Sequence, residues 1–297
     1  VIHPPNSPSD PCPRPCPGDG ATHLAIAHLG PPGTYSEAAA VAFADGLGGG
    51  LLCPYPSIPQ TLEAVASGAA HWAVVPVENA LQGSVASTLD TLWRLDGVYV
   101  NQAIVLPIAH VLLSYGTDLA AVRAVYSHPQ ALAQCQRWLN ANLPQVQLVP
   151  TNSTTEALDR LRDDGAIAAI ASQRAAALYD VPVRATHIGD RPDNATRFWC
   201  LSRTPGTGEG THTSLAFLLP ENAPGALLEP LAILAEQRIN LCRIESRPTQ
   251  RSFGDYLFFI DCEGGQGDDR VAQALDRLAE KVETLRVFGS YRMVPVP

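Results

Sequence analysis

Positive charge is scarce in this chain. Lys+Arg number 20 against Asp+Glu 29, charged residues are only 16% of the 297, and the formal net charge is -9. No Lys/Arg-rich stripe offsets that balance, so the long-range attraction that polyphosphate binders need is missing and no nucleic-acid partner is expected. A local cationic pocket for one small anion stays compatible with it. Metal-ligand spacing is also missing: neither Cys-x-x-Cys nor His-x-x-x-His occurs and the eight histidines do not cluster, so no metal is predicted. The seven cysteines (Cys12, Cys16, Cys53, Cys135, Cys200, Cys242 and Cys262) are odd in number and scattered, and read as buried free thiols. The longest strongly apolar run, Ala103 to Leu113, is broken by Pro107 and His110. It is about half the length of a membrane helix, roughly 20 residues, so no membrane partner is expected. A basic start followed by an apolar stretch is absent, as is an Arg- and Ser-rich leader, and the expected location is the cytoplasm.

What is present is a globular composition, 46% hydrophobic, in a chain long enough for about two domains at roughly 150 residues each. Residues 1–22, with seven prolines in the first 20 positions, cannot offset their ordering entropy and are expected to be a disordered tail. From Leu24 short β-type runs alternate with helical patterns. Strands are predicted at Leu24 to Leu29, Ala73 to Val77, Ala124 to Tyr126, Val146 to Val149, Ala166 to Ile170 and Arg197 to Leu201. Helices are predicted at Ser36 to Ala44, Val85 to Arg94, Gln130 to Leu139, from Ser153, and at Gln173 to Leu178. A Gly- and Thr-rich linker at 205–212 follows. Residues 213–294 then run strand, helix, strand, strand, helix, strand, the ferredoxin-like βαββαβ order.

Five segments sit where such a fold exposes chemistry, at strand ends and helix starts. Gly30 to Ser36 opens a helix; Thr34 serves there as a cap, or the backbone amides face an anion. Glu78-Asn79 ends an apolar strand, and Gln82-Gly83-Ser84 follows; a plain turn and a hydrogen-bonding site both fit. Ser127-His128-Pro129 is ordinary capping grammar, whereas Gln134, one turn into its helix, lies on the ligand-facing end. Ser153 to Glu156 matches a capping box, with Thr154 free to reach a cleft. Thr196-Arg197-Phe198 brings an arginine into an apolar strand, either as a structural ion pair or as a carboxylate clamp beside a proton-donating hydroxyl.

Together these five segments resemble the prephenate dehydratase family, and the second half resembles its ACT regulatory domain through Gly225-Ala226-Leu227, Asn240-Leu241 and Glu245-Ser246-Arg247-Pro248. The resemblance implies an α/β fold with a two-lobed, type II periplasmic-binding-protein-like catalytic domain at 23–204, its middle lobe at about 105–182, followed by the ACT domain. It implies conversion of prephenate to phenylpyruvate, carbon dioxide and water, with no cofactor and with phenylalanine as allosteric effector. Thr196, Arg197, Asn79, Gln134 and Ser127 are implied as catalytic, with Thr196 assisting departure of the ring hydroxyl and Arg197 balancing substrate carboxylate charge. Thr34, Ser36, Glu78, Ser84, Thr154 and Phe198 are implied at the substrate, and the three ACT segments at the effector, enclosed between the paired subunits of a homodimer or homotetramer. Two positions depart from the family pattern: Ala80, where Ser or Thr is usual, and Gln82, where an acidic residue is common. They leave arogenate open as the substrate. A non-catalytic amino-acid-responsive binding protein is the rival from another class, and a chorismate mutase fusion, which needs a helical domain ahead of Leu24, is not expected.

Overall fold

The computed structural model describes residues 24–161, 164–249 and 254–296. The expected N-terminal tail lies outside the described residues. Among them two sheets form, and the larger holds ten strands.

The first lobe comprises β1 (Ala25–Leu29), α1 (Tyr35–Gly46), β2 (Leu51–Tyr55), α2 (Ile58–Ala66), β3 (Trp72–Asn79), β4 (Gly83–Ser84), α3 (Ala86–Arg94) and β5 (Tyr99–Pro107). The second contains β6 (His110–Leu113), β7 (Ala124–Ser127), α4 (Pro129–Ala133), α5 (Gln136–Asn142), β8 (Gln147–Pro150), β9 (Ile167–Ser172), α6 (Gln173–Tyr179) and β10 (Val183–Ala185). The chain returns through β11 (Ala195–Ser202), which lies antiparallel between β3 and β5. The last part is β12 (His212–Leu218), α7 (Leu228–Glu236), β13 (Leu241–Pro248), β14 (Tyr256–Glu263), α8 (Asp269–Lys281) and β15 (Thr284–Pro295), which gives the expected βαββαβ order.

Side-chain alternation decides what each face of the first lobe meets. On β11, Phe198 and Cys200 join Ile26 and Val74 beneath α1, whereas Trp199 and Leu201 pack with α2, α3 and the inner face of the C-terminal sheet. That inner face is Ala216, Leu218, Leu257, Phe259, Phe288 and Tyr291; the outer face is covered by α7 and α8. The smaller sheet, in the order β10-β6-β9-β7-β8, forms the second lobe with apolar clusters on both faces. β15 ties the C-terminal sheet to the first: it pairs antiparallel with β12 over Thr284 to Tyr291, then parallel with β5 from Arg292 to Pro295. At the crossover Gly289 adopts φ 137°, and an added Cβ would meet the Val100 carbonyl oxygen at 2.4 Å.

Several expectations are corrected. The helix expected from Ser153 is a short 3-10 turn, Glu156–Arg160, ahead of which the Ser153 hydroxyl accepts the Glu156 N–H as a cap. The helix expected over Gln130 to Leu139 is two helices, broken at Gln134 and Cys135. Cys53 is disulfide-bonded and not a free thiol, and Cys242 is exposed on the edge strand β13, while Cys135, Cys200 and Cys262 are buried and free.

Candidate active site

The site is built outward from Asn79, the last residue of β3. Its Oδ1 accepts the backbone N–H groups of Leu81 (3.1 Å) and Gln82 (3.2 Å), closing the turn after the strand. An oxygen held by two backbone donors fixes which way the amide faces. Nδ2 therefore points the other way, donating to Asn194 Oδ1 (2.9 Å), Ala195 O (3.2 Å) and Thr196 Oγ1 (2.9 Å). Since an amide nitrogen cannot accept, the Thr196 hydroxyl receives that bond and its own proton is free for another partner. Asn194 Nδ2 donates to Gln134 Oε1 (3.0 Å), which also lies 2.8 Å from His110 Nε2. Asn79, Gln134, Asn194, Thr196 and His110 are all buried, and Gln134 Nε2 has no partner among the described residues. Burial pushes the His110 imidazole below its ordinary pKa, against the opposing effect of its hydrogen bond to Gln134 Oε1.

This chain of amides spans both lobes. Beside it a cavity of about 330 Å³ is lined by Leu81 and Gln82 from the first lobe and by Ala133, Gln134, Arg137, Asp190 and Arg191. The Asp190 carboxylate accepts the Arg137 backbone N–H (3.1 Å), and the Asp190 N–H donates to the Gln134 carbonyl (2.7 Å), which anchors the end of the helix pair. Arg137 and Arg191 are the cationic side chains of the cavity wall. The Gly30 to Ser36 loop closes against the second lobe: Glu37 accepts Gly33 N–H (2.7 Å) and Arg174 Nε (2.8 Å), and Ser172 Oγ donates to Gly33 O (2.8 Å). Gly33 has φ 85°, and a Cβ there would stand 2.9 Å from the Thr155 methyl, so the close approach requires glycine.

Thus Asn79, Gln134 and Thr196 meet, as the sequence leads one to expect, while other expected residues stand elsewhere. Arg197 follows Thr196 on a strand and so projects from the opposite face. Its guanidinium donates to Glu78 (2.8 Å) and to Asp261 of β14 (2.6 Å), away from the cavity, which is the structural ion-pair alternative. Ser84 accepts from Arg243 of β13 (3.3 Å) on that same side. Ser127 donates to the Ile170 carbonyl (2.6 Å) inside the second lobe. Thr34 caps α1 through the Glu37 N–H, Ser36 is buried in that helix, Phe198 lies in the core beneath it, and Thr154 is half-buried ahead of the 3-10 turn. Ala80 is exposed, its N–H donating to Ala195 O. Sequence reasoning missed His110, Asn194, Arg137 and Arg191. The first carried a signal, a histidine interrupting the apolar run of two adjoining strands, and Asn194 ends the polar stretch before Thr196.

The C-terminal part touches the first lobe through arginines. Arg243 donates to Asp261 (2.9 Å) and lies 5.6 Å over the Trp199 ring. Asp261 is fully buried; burial alone would raise its pKa, but Arg243 and Arg197 outweigh it and hold the carboxyl below the usual range. Arg247 forks onto Asp90 of α3 at 2.9 and 2.7 Å. Of the other expected effector residues, Leu241, Glu245, Ser246 and Pro248 lie along β13, an edge strand. Asn240 donates to Glu263 (3.1 Å). Gly225, with φ 85°, Ala226 and Leu227 form the turn into α7, and the loop leading to them leaves β12 at the end of the sheet where Pro248 lies.

Comparison with known proteins gives one answer along the chain. The family model for prephenate dehydratase matches residues 26–206 and that for the ACT domain residues 213–280. A prephenate dehydratase of Mycobacterium ulcerans is 38% identical, covering 90% of this chain and 88% of the relative. A bifunctional chorismate mutase/prephenate dehydratase of Aquifex aeolicus is likewise 38% identical, over 90% of this chain and 73% of its own. Among solved structures, prephenate dehydratase of Arthrobacter aurescens in complex with L-Phe superposes with a TM-score of 0.82 at 36% identity, covering 91% of this chain and 90% of the other. GqqA, described as a novel type of quorum quenching acylase, gives 0.79 at 30% identity, covering 91% and 98%. With two lobes, a terminal βαββαβ unit and matches over both parts, the chain belongs to the prephenate dehydratase family and carries an ACT domain.

Proposed function

We propose that this protein is a feedback-regulated prephenate dehydratase in which Thr196 is the general acid. The observation that carries this reading is the direction of the Asn79–Thr196 hydrogen bond, which leaves the threonine proton free. In the reaction the bond to the ring carboxylate breaks, its electron pair moves into the ring, and the ring C–O bond breaks as the hydroxyl takes the Thr196 proton and leaves as water, the threonine oxygen regaining a proton from solvent. Carbon dioxide, water and phenylpyruvate result, and aromatisation supplies the driving force. The Gln134 amide N–H and the cations Arg137 and Arg191 suit the substrate's carboxylate and carbonyl oxygens, a role that Arg197 cannot fill from the far face of β11. An acylase reading finds no support at Thr196, whose neighbour is an amide and not a base.

Phenylalanine acts at the ACT domain on this reading, supported by the L-Phe complex of the Arthrobacter relative. The subunits pair through the β13 edge, where Ile244 is 45% exposed and the nearby helix shows Leu228 at 70%. No helix among the described residues is long and apolar enough to cross a membrane, in keeping with work in the cytoplasm. The test is turnover of prephenate and of arogenate, each with and without phenylalanine, together with light scattering. Phenylpyruvate formation suppressed by phenylalanine supports the reading; preference for arogenate moves the substrate, and no turnover of either overturns it.

A further inference from the structure

We infer that His110 is a positioning residue for the reaction, fixed as the Nε2–H tautomer to hold the amide of Gln134, a residue of the cavity wall, with its oxygen turned to His110 and Asn194 and its N–H left for substrate; this rests on the dehydratase reading above. One line of hydrogen bonds crosses the site, and its direction is set at a single point. The two backbone N–H groups at Leu81 and Gln82 claim the oxygen of Asn79, so Asn79 presents only its nitrogen to Asn194. Asn194 must answer with its oxygen, and so presents its nitrogen to Gln134. Gln134 must answer with its oxygen, and the group 2.8 Å away on its other side, His110 Nε2, can therefore only donate. No tautomer other than the one with a proton on Nε2 satisfies the chain.

The other ring nitrogen faces the first lobe. His110 Nδ1 lies 3.2 Å from the hydroxyl oxygen of Tyr35, whose proton goes to the Ala109 carbonyl at 2.7 Å, and the two rings meet edge to face with centroids 5.7 Å apart. Tyr35 stands on α1 of the first lobe and His110 on β6 of the second, so the histidine is gripped from both lobes. What the grip achieves is visible at the far atom of Gln134. With Oε1 taken by both His110 and Asn194, Nε2 of this cavity-wall residue is left buried and without a partner among the described residues, at the cost that a buried orphan donor carries. Without the His110 donor one of the two anchors is gone. The amide is then able to turn over, and it offers a lone pair where a carboxylate or carbonyl oxygen is to be received.

Two measurements test this. Long-range ¹H–¹⁵N correlation on histidine-labelled wild-type protein, with His110 assigned by its absence in His110→Gln, is expected to show protonated Nε2; a proton on Nδ1 alone overturns the inference. In steady-state kinetics His110→Phe, which fills the ring's space but cannot donate, is expected to lose about ten- to a hundredfold in kcat/KM. His110→Gln, whose amide N–H reaches toward the Nε2 position, is expected to recover most of it. Equal losses in the two variants, or full activity in His110→Phe, overturn the inference. A wild type that turns over neither prephenate nor arogenate instead overturns the functional reading, and the tautomer still decides the network on its own.

Discussion

Thr196→Val keeps the outline of the side chain and removes its proton. The Asn79 amide retains Asn194 Oδ1 and Ala195 O as acceptors, so the turn survives. Turnover is expected to fall by about 10²- to 10⁴-fold, the usual worth of general-acid help, while calorimetric titration still shows substrate binding. Arg137→Met acts on the other quantity: KM for the dianionic substrate rises, and kcat changes less. Burial lowers the pKa of both His110 and His28, so each prefers its neutral form in the folded chain. The unfolded chain then binds more protons in the window below the ordinary histidine value of about 6.5. Chemical denaturation should accordingly show stability falling as the pH is lowered from 7 through that window. Asn79, Thr196 and Gln134 were legible because Asn79 ends a strand, Thr196 stands at the start of one, and Gln134 lies one turn into the helical pattern that follows a strand. The placement of Arg197 was also legible and was missed: neighbours on a strand face opposite ways, and Thr196 and Arg197 cannot both enter one cleft. His110 stood out in its apolar run, but its role was hidden because only the fold brings it beside a glutamine 24 positions on.

At the scale of elements, β15 carries the sharpest steric condition. Gly289→Ala places a methyl 2.4 Å from the Val100 carbonyl oxygen at φ 137°, a conformation that L side chains rarely adopt. A loss of roughly 1–3 kcal/mol is expected, read as a lower melting temperature at unchanged catalytic geometry. The alternating β and α pattern and the βαββαβ order were visible because their apolar periods are regular over full elements. Strand β2, Leu51–Tyr55, and helix α2, Ile58–Ala66, were not, since the strand contains Pro54 and the helix has Pro59 in its first turn, within a turn-like stretch. The run from Ala103 to Leu113 resolves into parts of β5 and β6, which turn at Pro107 to Ala109 and pass from one lobe to the other. Hydropathy alone shows such a run as apolar without saying that it is two strands.

At the scale of the whole molecule, one buried carboxylate joins the parts. Asp261 accepts from Arg197 of the catalytic strand and from Arg243 and Ser214 of its own sheet. Asp261→Asn leaves two arginines with a neutral partner, and removing one member of a buried ionic group typically costs about 3–5 kcal/mol. Urea unfolding monitored by Trp fluorescence should show it. Because the pKa of Asp261 is lowered on folding, its contribution is present above the ordinary carboxylate value of about 3.9 and is lost as the pH falls through the lowered value. Acid unfolding should therefore begin below about pH 4 and be less steep in the Asn variant. None of this was legible in the sequence, where Arg197 and Asp261 stand 64 positions apart in different domains.

The strand that crosses between the sheets also sets an order of events during synthesis. β5 is made early, yet the partner for one of its edges, Arg292 to Pro295, emerges only after the whole regulatory unit. Until then the nascent catalytic part presents an unpaired edge, open to the wrong neighbour on a crowded ribosome. A ribosome stalled ahead of Arg292 should hold a chain whose catalytic sheet is folded yet prone to associate, and release of the last strand should end that hazard.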